Sequence, residues 1–345
     1  MHMASAPSMA MHPLYYRLLI LVLVIQVLTL QHSFVGAMAA IRTTSGPSHL
    51  STAILIRVDQ SGQGDYKKIQ DAIDAVPANN TKLYFIWVKP GTYREKVVVP
   101  ADKPFITISG SQVNTTVITW GDSGDIFESS TFSVLASDFI GRYLTIQKSN
   151  LYAQNTFGSS ERAVALRVSG DKAAFYGCRI LSYQDTLLDD AGRHYYSNCY
   201  IEGATDFICG NAASLFEKCR INSLSEGGGA ITAQRRMSPD EATGFTFLGC
   251  RITGNGSAAL GRPWGDYSRV VFAYSYMAKA VVPQGWNDWG GSASGRVKWS
   301  KVLTDDQVAP FVTKEMIGSR AWLRPLPTRF HRGSPVIAQT APTAN

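Results

Sequence analysis

Two aspartates in neighbouring sequence repeats could carry out catalysis. Asp185 and Asp206 each follow the cysteine of their own repeat, Cys178 or Cys199, by seven residues. In a stacked structure, equal offsets place both side chains on one face, about 4.8 Å apart along the stack. Two carboxylates this close cannot both ionise freely, and one protonated plus one ionised carboxyl group suits general acid and nucleophile chemistry. The structural alternative is that both aspartates cap turns.

A second group of residues could support these aspartates. Leu260-Gly-Arg262-Pro-Trp264 places a fixed positive charge beside an aromatic ring. Arginine can keep a carboxylate ionised through a bidentate ion pair, and the face of a tryptophan can stack on a sugar ring. Trp286 and Trp289 are further candidates for sugar contacts. For each tryptophan the alternative is packing in the core or at a coil end, which is favoured for Trp289.

Other catalytic chemistries find little support. The sequence has no Gly-x-Ser-x-Gly elbow, and His194 is the one histidine in the repeats, so a Ser-His-Asp hydrolase is not expected. Gly62-Gln-Gly64 is a fragment of a dinucleotide-binding loop and predicts a turn. Cysteines and histidines lack metal-binding spacing, so no metal site is expected. Basic residues are scattered, which argues against nucleic acid as a partner.

The aspartates lie in a sequence repeat with start-to-start spacings of 21, 20, 31 and 25 residues. Such spacings are typical of a solenoid or a propeller, but a propeller blade needs about twice as many strands as these units hold. Short aromatic and β-branched runs therefore predict one coil of a parallel β-helix per repeat. The cysteines would form a buried ladder rather than disulfides. The copies are Phe175-Tyr-Gly-Cys178-Arg-Ile180, Tyr196-Ser-Asn-Cys199-Tyr-Ile201, Phe216-Glu-Lys-Cys219-Arg-Ile221, Phe247-Leu-Gly-Cys250-Arg-Ile252 and the degenerate Phe272-Ala-Tyr-Ser275-Tyr-Met277.

Short helices are predicted at both ends of the solenoid. Ile69, Ile73 and Val76 share one face of a helix predicted over 65–76, and Pro77 ends it. This helix would cover the open N-terminal end of the stack, where backbone and apolar surface are otherwise exposed. Thr304-Asp-Asp-Gln307 is a capping box that opens a short C-terminal helix.

The N-terminal segment predicts export. Leu18 to Leu30 is a mostly apolar run that follows Arg17, and Ala37-Met38-Ala39 fits a signal cleavage site. We expect a secretory signal peptide over 1–39, with an uncleaved anchor as the alternative, because the run is short against the ~20 residues of a membrane span. A linker over 40–56, a catalytic domain over 57–323 and a Pro-rich disordered tail over 324–345 complete the predicted organisation.

Composition limits the class of partner. The 345 residues are 45% apolar and 17% charged, which excludes a disordered chain or a coiled coil. The net charge of +7 indicates a polyanionic partner without saying whether it is nucleic acid, lipid or an acidic polysaccharide. Asn79, Asn114 and Asn255 begin Asn-x-Ser/Thr sequons, which predict glycan sites on surface loops of an exported glycoprotein.

Five motifs, in order along the chain, resemble those of plant pectinesterases (pectin methylesterases). Together they are specific, and the resemblance runs from about Arg57 to Leu323, nearly all of the expected mature chain. It implies an all-β fold, a single-stranded right-handed parallel β-helix, in agreement with the repeats. The motifs are Gly91-Thr-Tyr93-Arg-Glu95, Ala163-Val-Ala-Leu166, Gln184-Asp185-Thr-Leu187, Asp206-Phe-Ile-Cys-Gly210 and Leu260-Gly-Arg262-Pro-Trp264.

The resemblance implies a role for each matched residue. Asp206 would attack the C6 carbonyl of a methylated galacturonate, and Asp185 would protonate the departing methanol and then activate water. Gln184 would donate to the oxyanion. Arg262 would orient Asp206 and keep it charged, and Trp264 would contact the sugar. No metal or cofactor is implied.

The sequence departs from the family pattern at two places. Arg162 stands where the family has glutamine as a second oxyanion donor, and a cation there would lower the pKa of Asp185. One strand of the family fold also has no counterpart after Trp289. Both departures raise the alternative of a catalytically impaired pectin-binding β-helix, and a β-helix lyase or glycosidase is a third hypothesis.

The resemblance also sets expectations about partners. The expected substrate is methyl-esterified homogalacturonan, and a proteinaceous pectinesterase inhibitor is a further expected partner. We expect a monomer in the cell wall, with no stable membrane association once the signal is cleaved. The inhibitor-like helical pro-region that many relatives carry is not expected, because only a short segment separates the signal from the first strand.

Overall fold

The computed structural model describes residues 51–149, 162–288 and 299–332. Twenty-five short strands form three parallel sheets, and successive strands of the chain pass from sheet 1 to sheet 2 to sheet 3 before returning to sheet 1. Each coil therefore lies on the one before it, which is a parallel β-helix and confirms the fold predicted from the repeats.

Sheet 1 has ten strands, sheet 2 eight and sheet 3 seven. Sheet 1 contains β1 (Thr52–Val58), β2 (Leu83–Val88), β5 (Ile106–Gly110), β8 (Ile140–Arg142), β11 (Ala173–Tyr176), β14 (Arg193–Ser197), β17 (Ala213–Glu217), β20 (Gly244–Leu248), β23 (Val270–Ala273) and β25 (Arg329–Arg332). Sheet 2 contains β3 (Gly91–Arg94), β6 (Thr116–Trp120), β9 (Thr145–Lys148), β12 (Arg179–Leu181), β15 (Tyr200–Gly203), β18 (Arg220–Ser223), β21 (Arg251–Gly254) and β24 (Tyr276–Met277). Sheet 3 contains β4 (Val97–Val99), β7 (Phe132–Val134), β10 (Leu166–Val168), β13 (Leu187–Asp189), β16 (Ile208–Gly210), β19 (Gly229–Gln234) and β22 (Ala258–Gly261).

Ladders of like residues fill the interior. The aromatic position of the repeat stacks along sheet 1, with ring centroids 4.5–5.2 Å apart in a column formed by Phe175, Tyr196, Phe216, Phe247 and Phe272. All five cysteines are buried and free, as expected for the four in the repeats, and three of those four direct their thiols at a backbone carbonyl of the preceding coil. Ser275 makes the same contact in the degenerate repeat, 3.2 Å from the Phe247 carbonyl.

The turn between sheets 1 and 2 repeats with the ladders. One residue per turn adopts φ between 49° and 60°, in six successive coils. Glycine adopts this left-handed conformation freely, yet four of the six positions carry larger side chains, so the stacked coils hold the turn. The six residues are Tyr143, Gly177, Asn198, Lys218, Gly249 and Tyr274.

The N-terminal helix is shorter than predicted. Helix α1 spans Ile69–Asp74 and buries Ile69 and Ile73 in the main core at the first coils, where it was expected. It does not begin at Asp65, because the Asp65 carboxylate accepts a hydrogen bond from the backbone N–H of Arg57 (2.8 Å). Glu95 instead accepts from the free N–H groups of Ile69 and Gln70, at 3.1 and 3.0 Å.

The C-terminal helix forms with its predicted cap. Helix α2 spans Asp305–Val308, and Thr304 and Gln307 make the reciprocal capping box. Three 3₁₀ turns follow, at Ala309–Phe311, Lys314–Ile317 and Ser319–Ala321. Ile317 and Trp322 pack on residues of the outer face of sheet 1, so this segment covers a side of the β-helix.

The predicted limits of the β-helix, 57 and 323, are too narrow. Strand β1 begins at Thr52, inside the expected linker, and β25 lies inside the expected disordered tail. The two strands pair in parallel over Thr52–Leu55, and β25 thereby covers backbone groups that β1 would otherwise expose as an edge strand. Phe330 of β25 also packs edge-on against Phe85, with ring centroids 5.2 Å apart.

Three sequence predictions fall outside the described residues: the signal over 1–39, the break after Trp289, and most of the tail. Within the described ranges, no helix is long and apolar enough to cross a membrane.

Candidate active site

The two aspartates occupy equivalent positions in adjacent coils. Asp185 lies between β12 and β13, and Asp206 lies between β15 and β16. A parallel bridge between Gln184 and Thr205 stacks the two loops, which sets the backbones about 4.8 Å apart. Both aspartates adopt a left-handed conformation, with φ of 56° and 47°. Aspartate tolerates this conformation better than most residues, and it turns both side chains out of the strand alternation.

Arg262 joins this pair from two coils further along. It directly follows β22, where its backbone N–H donates to the carbonyl of Thr232 (3.0 Å). Its Nε donates to Oδ1 of Asp206 at 2.8 Å, and its Nη2 donates to Oδ2. Asp206 is only 5% exposed, so this bidentate ion pair holds a buried carboxylate in one orientation.

Within the part of the chain that the structure describes, Asp185 makes no such ion pair, and it is buried next to the negative charge of Asp206. Burial, followed by the negative charge of Asp206, raises the pKa of Asp185 to about 7, although Arg162 and Arg262 act to lower it. The expected effect of Arg162 on Asp185 is therefore present, but burial and Asp206 outweigh it. The site thus pairs a carboxyl group whose pKa lies near neutral pH with a carboxylate that an arginine holds through two hydrogen bonds.

Gln184 lies in the same coil as Asp185, and Arg162 lies in the preceding coil. Gln184 is half-buried beside Asp185, and its carbonyl accepts from the N–H of Ala163 at 3.3 Å. Arg162 is exposed, and its carbonyl accepts from the N–H of Gly124 at 2.9 Å. Four of the five sequence motifs therefore lie at this place in the fold, whereas the first along the chain lies in β3 and beside the start of α1, several coils away.

The two tryptophans differ in their surroundings. Trp264 packs against the small apolar cluster that contains Leu188 and Cys209, and the Arg235 guanidinium lies 5.0 Å from its ring centroid. Trp286 packs on the end of the main core and meets Trp299 edge-on at 5.8 Å, so the packing alternative also describes Trp286. Both rings, together with Arg262, line a cavity of about 940 Å³.

A buried polar network beneath the site was missed by the sequence reasoning. The Asp189 carboxylate, four residues after Asp185, accepts from the Tyr196 hydroxyl (2.7 Å) and the Ser214 hydroxyl. His194 is fully buried, with Nδ1 2.6 Å from Asp189 and Nε2 donating to the Gly170 carbonyl at 2.9 Å. The residues of this network come from different coils and share no sequence motif. His194, as the one histidine in the repeats, was the only signal in the sequence that could have indicated the network.

Comparison with known proteins agrees with this geometry. A family model described as Pectinesterase matches residues 55–319. A pectinesterase homologue of Arabidopsis thaliana is 58% identical over 301 residues, covering 81% of this chain and 84% of the relative. Pectinesterase QRT1 of the same plant is 40% identical over 301 residues, covering 78% and 79%.

Solved structures give the same result for the fold. Pectin methylesterase from carrot superposes with a TM-score of 0.70 at 33% identity, over 81% of this chain and 96% of the carrot chain. Fold, ordered motifs and sequence identity all agree. The chain therefore belongs to the pectinesterase family, and it is an ester hydrolase that de-esterifies pectin.

Proposed function

We propose that the chain removes methyl esters from C6 of galacturonate units in pectin, with Asp206 as nucleophile and Asp185 as general acid and base. The observation that carries this proposal is the Arg262–Asp206 ion pair beside the buried Asp185. A charged nucleophile and a proton donor for the leaving group suffice to cleave an ester, and these two carboxyl groups supply one each.

In the first half of the reaction, a carboxylate oxygen of Asp206 attacks the ester carbonyl carbon. The resulting oxyanion accepts a hydrogen bond from the Gln184 amide. Asp185 transfers its proton to the methoxy oxygen as the carbon–oxygen bond breaks, and methanol leaves. An acyl-enzyme anhydride between Asp206 and the galacturonate carboxyl group remains.

In the second half, Asp185 is a carboxylate and takes a proton from water as that water attacks the anhydride. Collapse of the intermediate releases a free galacturonate carboxyl group and restores Asp206. Asp185 ends the cycle protonated, because the proton taken from water replaces the one given to methanol. The pKa of about 7 suits a group that must both donate and accept.

The remaining residues position the substrate. Arg262 orients Asp206 and also lies in the wall of the cavity, which neither catalytic aspartate lines. Trp264 offers a ring face for a pyranose, and Trp286 lines the same cavity from the coil end. Arg162, in the place of a family glutamine, acts as a cationic donor at the edge of the site.

Methanol release from methylated pectin tests the proposal, with Asp206→Asn as the variant. The amide cannot act as a nucleophile, so we expect a loss of about 10⁴-fold or more in turnover with an unchanged far-UV spectrum. Asp240→Asn, an exposed aspartate in the loop after β19, is the matched control and should keep wild-type turnover. Wild-type turnover in Asp206→Asn would disprove the nucleophile assignment.

The impaired-enzyme alternative makes a separate prediction, motivated by Arg162. It expects the wild-type protein to bind pectin without releasing methanol above blank at any pH from 4 to 9. Formation of unsaturated or reducing ends would instead indicate a lyase or a glycosidase.

Secretion into the cell wall, glycosylation and binding of a proteinaceous inhibitor belong to the same proposal. Asn79, Asn114 and Asn255 are exposed, as glycan acceptors must be. Mass spectrometry of protein from its native tissue tests occupancy and the cleavage expected after residue 39.

A further inference from the structure

A row of arginine and tyrosine side chains crosses the outer face of sheet 2. Five consecutive strands place these residues at one register position, and the row is Arg179, Tyr200, Arg220, Arg251 and Tyr276. Strand spacing of about 4.8 Å gives this Arg–Tyr row a length of about 19 Å. It is a straight, evenly spaced array of cations and aromatic rings.

The guanidinium groups of the Arg–Tyr row lie against its rings. Arg179 and Arg220 lie 5.1 and 5.7 Å from the centroid of Tyr200, and Arg251 lies 5.0 Å from that of Tyr276. Arg220 and Arg251 are exposed, and Tyr276 is 58% exposed. Among the described residues, no ion pair joins the three arginines to a carboxylate. Arg220 and Arg251 therefore face solvent, whereas Arg179 is half-buried and donates to Oδ1 of Asn114 at 3.1 Å.

The surroundings of the row favour an anionic partner. Lys218, in the adjoining turn, adds an exposed cation. Glu202 lies in the neighbouring register position, but its carboxylate accepts from the Tyr200 hydroxyl (2.5 Å) and the Asn222 amide (2.9 Å), within a polar ladder along the sheet. A depression of about 440 Å³ lies over the first half of the row, between Arg179 and Arg220.

We infer that the Arg–Tyr row is a second pectin-binding site, separate from the catalytic loops, that holds a de-esterified stretch of the polymer. This inference rests on the proposed function, whose product is a stiff polyanion with a carboxylate on every sugar. Guanidinium groups at the first, third and fourth positions of the row pair with those carboxylates, and the exposed Tyr276 ring stacks on a pyranose ring. Methylated pectin lacks the charge and binds the row less.

The location of the row suits a polymer that occupies both sites. Arg179 precedes Asp185 by six residues, so the Arg179 end of the row lies at most about 22 Å from the catalytic loops. A polymer held at the row raises the effective concentration of neighbouring esters at the active site. The enzyme thereby stays on regions that it has already de-esterified.

Retention on immobilised polygalacturonate free of methyl ester tests the inference, since this probe needs no catalytic step. We compare the wild type with Arg220→Gln/Arg251→Gln and with the control Lys67→Gln/Lys82→Gln, which removes the same charge from exposed positions near the N-terminal end. We expect binding to weaken about tenfold in the row variant only. Initial methanol release from a short methylated oligogalacturonate should be unchanged in both.

Equal loss of binding in both double variants would overturn the inference, because net charge alone would then hold the polymer. Undiminished binding in the row variant, or no binding by the wild type, would overturn it equally. Methanol release is scored separately, so normal release with unaltered polygalacturonate binding rejects the second site while leaving the proposed function intact. Loss of release in the wild type would instead reject the proposed function.

Discussion

Arg262 binds both carboxylate oxygens of Asp206 although 56 residues separate them in sequence. Strands β16, β19 and β22 lie side by side in sheet 3. Arg262, which follows β22, can therefore reach Asp206, which precedes β16 two coils earlier. A planar guanidinium holds the carboxylate in one plane through two hydrogen bonds. The stack of coils thereby prepares the nucleophile before substrate arrives.

Arg262→Lys keeps the charge but removes the fork of two donors. We expect kcat for methanol release to fall about 10- to 100-fold with a small change in KM, because one charge-assisted hydrogen bond is lost and the carboxylate is free to rotate. Steady-state kinetics on methylated pectin measure the effect.

The matched control is Arg193→Lys. Arg193 also makes a bidentate pair, donating through Nε to Asp171 Oδ1 at 2.9 Å and through Nη2 to Oδ2, outside the active site. Both variants should melt at similar temperatures, while only the Arg262 variant loses activity. Equal activity losses would show that the first effect is structural.

Arg162→Gln should move the pH dependence of catalysis. Asp185 must be protonated in the free enzyme to donate to the leaving group, so kcat/KM should fall as pH rises through about 7. Arg162 lowers the pKa of Asp185, so removing its charge should shift this descending limb to higher pH. Profiles from pH 4 to 9 measure the shift, and the exposed Arg94→Gln should leave the limb in place. A shift to lower pH would contradict the electrostatic assignment.

Asp185→Asn should stabilise the fold more at high pH than at low pH. The folded-state pKa of Asp185 is about 7, against a usual 3.8. Between about pH 4 and pH 7, therefore, the Asp185 carboxyl group is protonated in the folded chain and ionised in the unfolded chain. The stability linked to this group is complete below pH 4 and disappears above pH 7, a difference of a few kcal/mol. Asparagine never ionises and tolerates the same φ.

Calorimetry at pH 4 and pH 8 provides the measurement. The gain in melting temperature over the wild type should be larger at pH 8, whereas Asp240→Asn should show no pH-dependent difference. An equal gain at both pH values would mean that Asp185 is not a strained buried acid in the folded chain.

The repeats predicted the β-helix and the placement of Asp185 and Asp206, because stacking turns equal sequence offsets into equal positions. Contacts between distant segments could not be predicted in this way. Glu95 binds the first residue of α1, and β25 pairs with β1. In both contacts the two chain segments are distant in sequence and contain no common repeat. The network around Asp189 gathers side chains from several coils, each of which looks like an ordinary strand residue in the sequence.

The buried cysteines give a prediction about redox behaviour. All five are free and buried, so we expect no reaction with a bulky thiol reagent in the native state and five reactive thiols after unfolding in guanidinium chloride. The melting temperature should not change with added reductant, because no disulfide contributes to stability. A drop on reduction would reveal a disulfide and overturn the ladder assignment.

The aromatic column should dominate the stability of the catalytic coils. Phe216 is fully buried and stacks at 4.6 Å on both Tyr196 and Phe247, so Phe216→Ala leaves a cavity and should cost about 3–5 kcal/mol of unfolding free energy. Phe216→Leu fills part of the space and should cost less, while Tyr274→Ala, 71% exposed, should change stability by less than about 0.5 kcal/mol. Urea unfolding measures all three. Equal costs for the alanine and leucine variants at Phe216 would mean that ring stacking, rather than filled volume, holds the coils together.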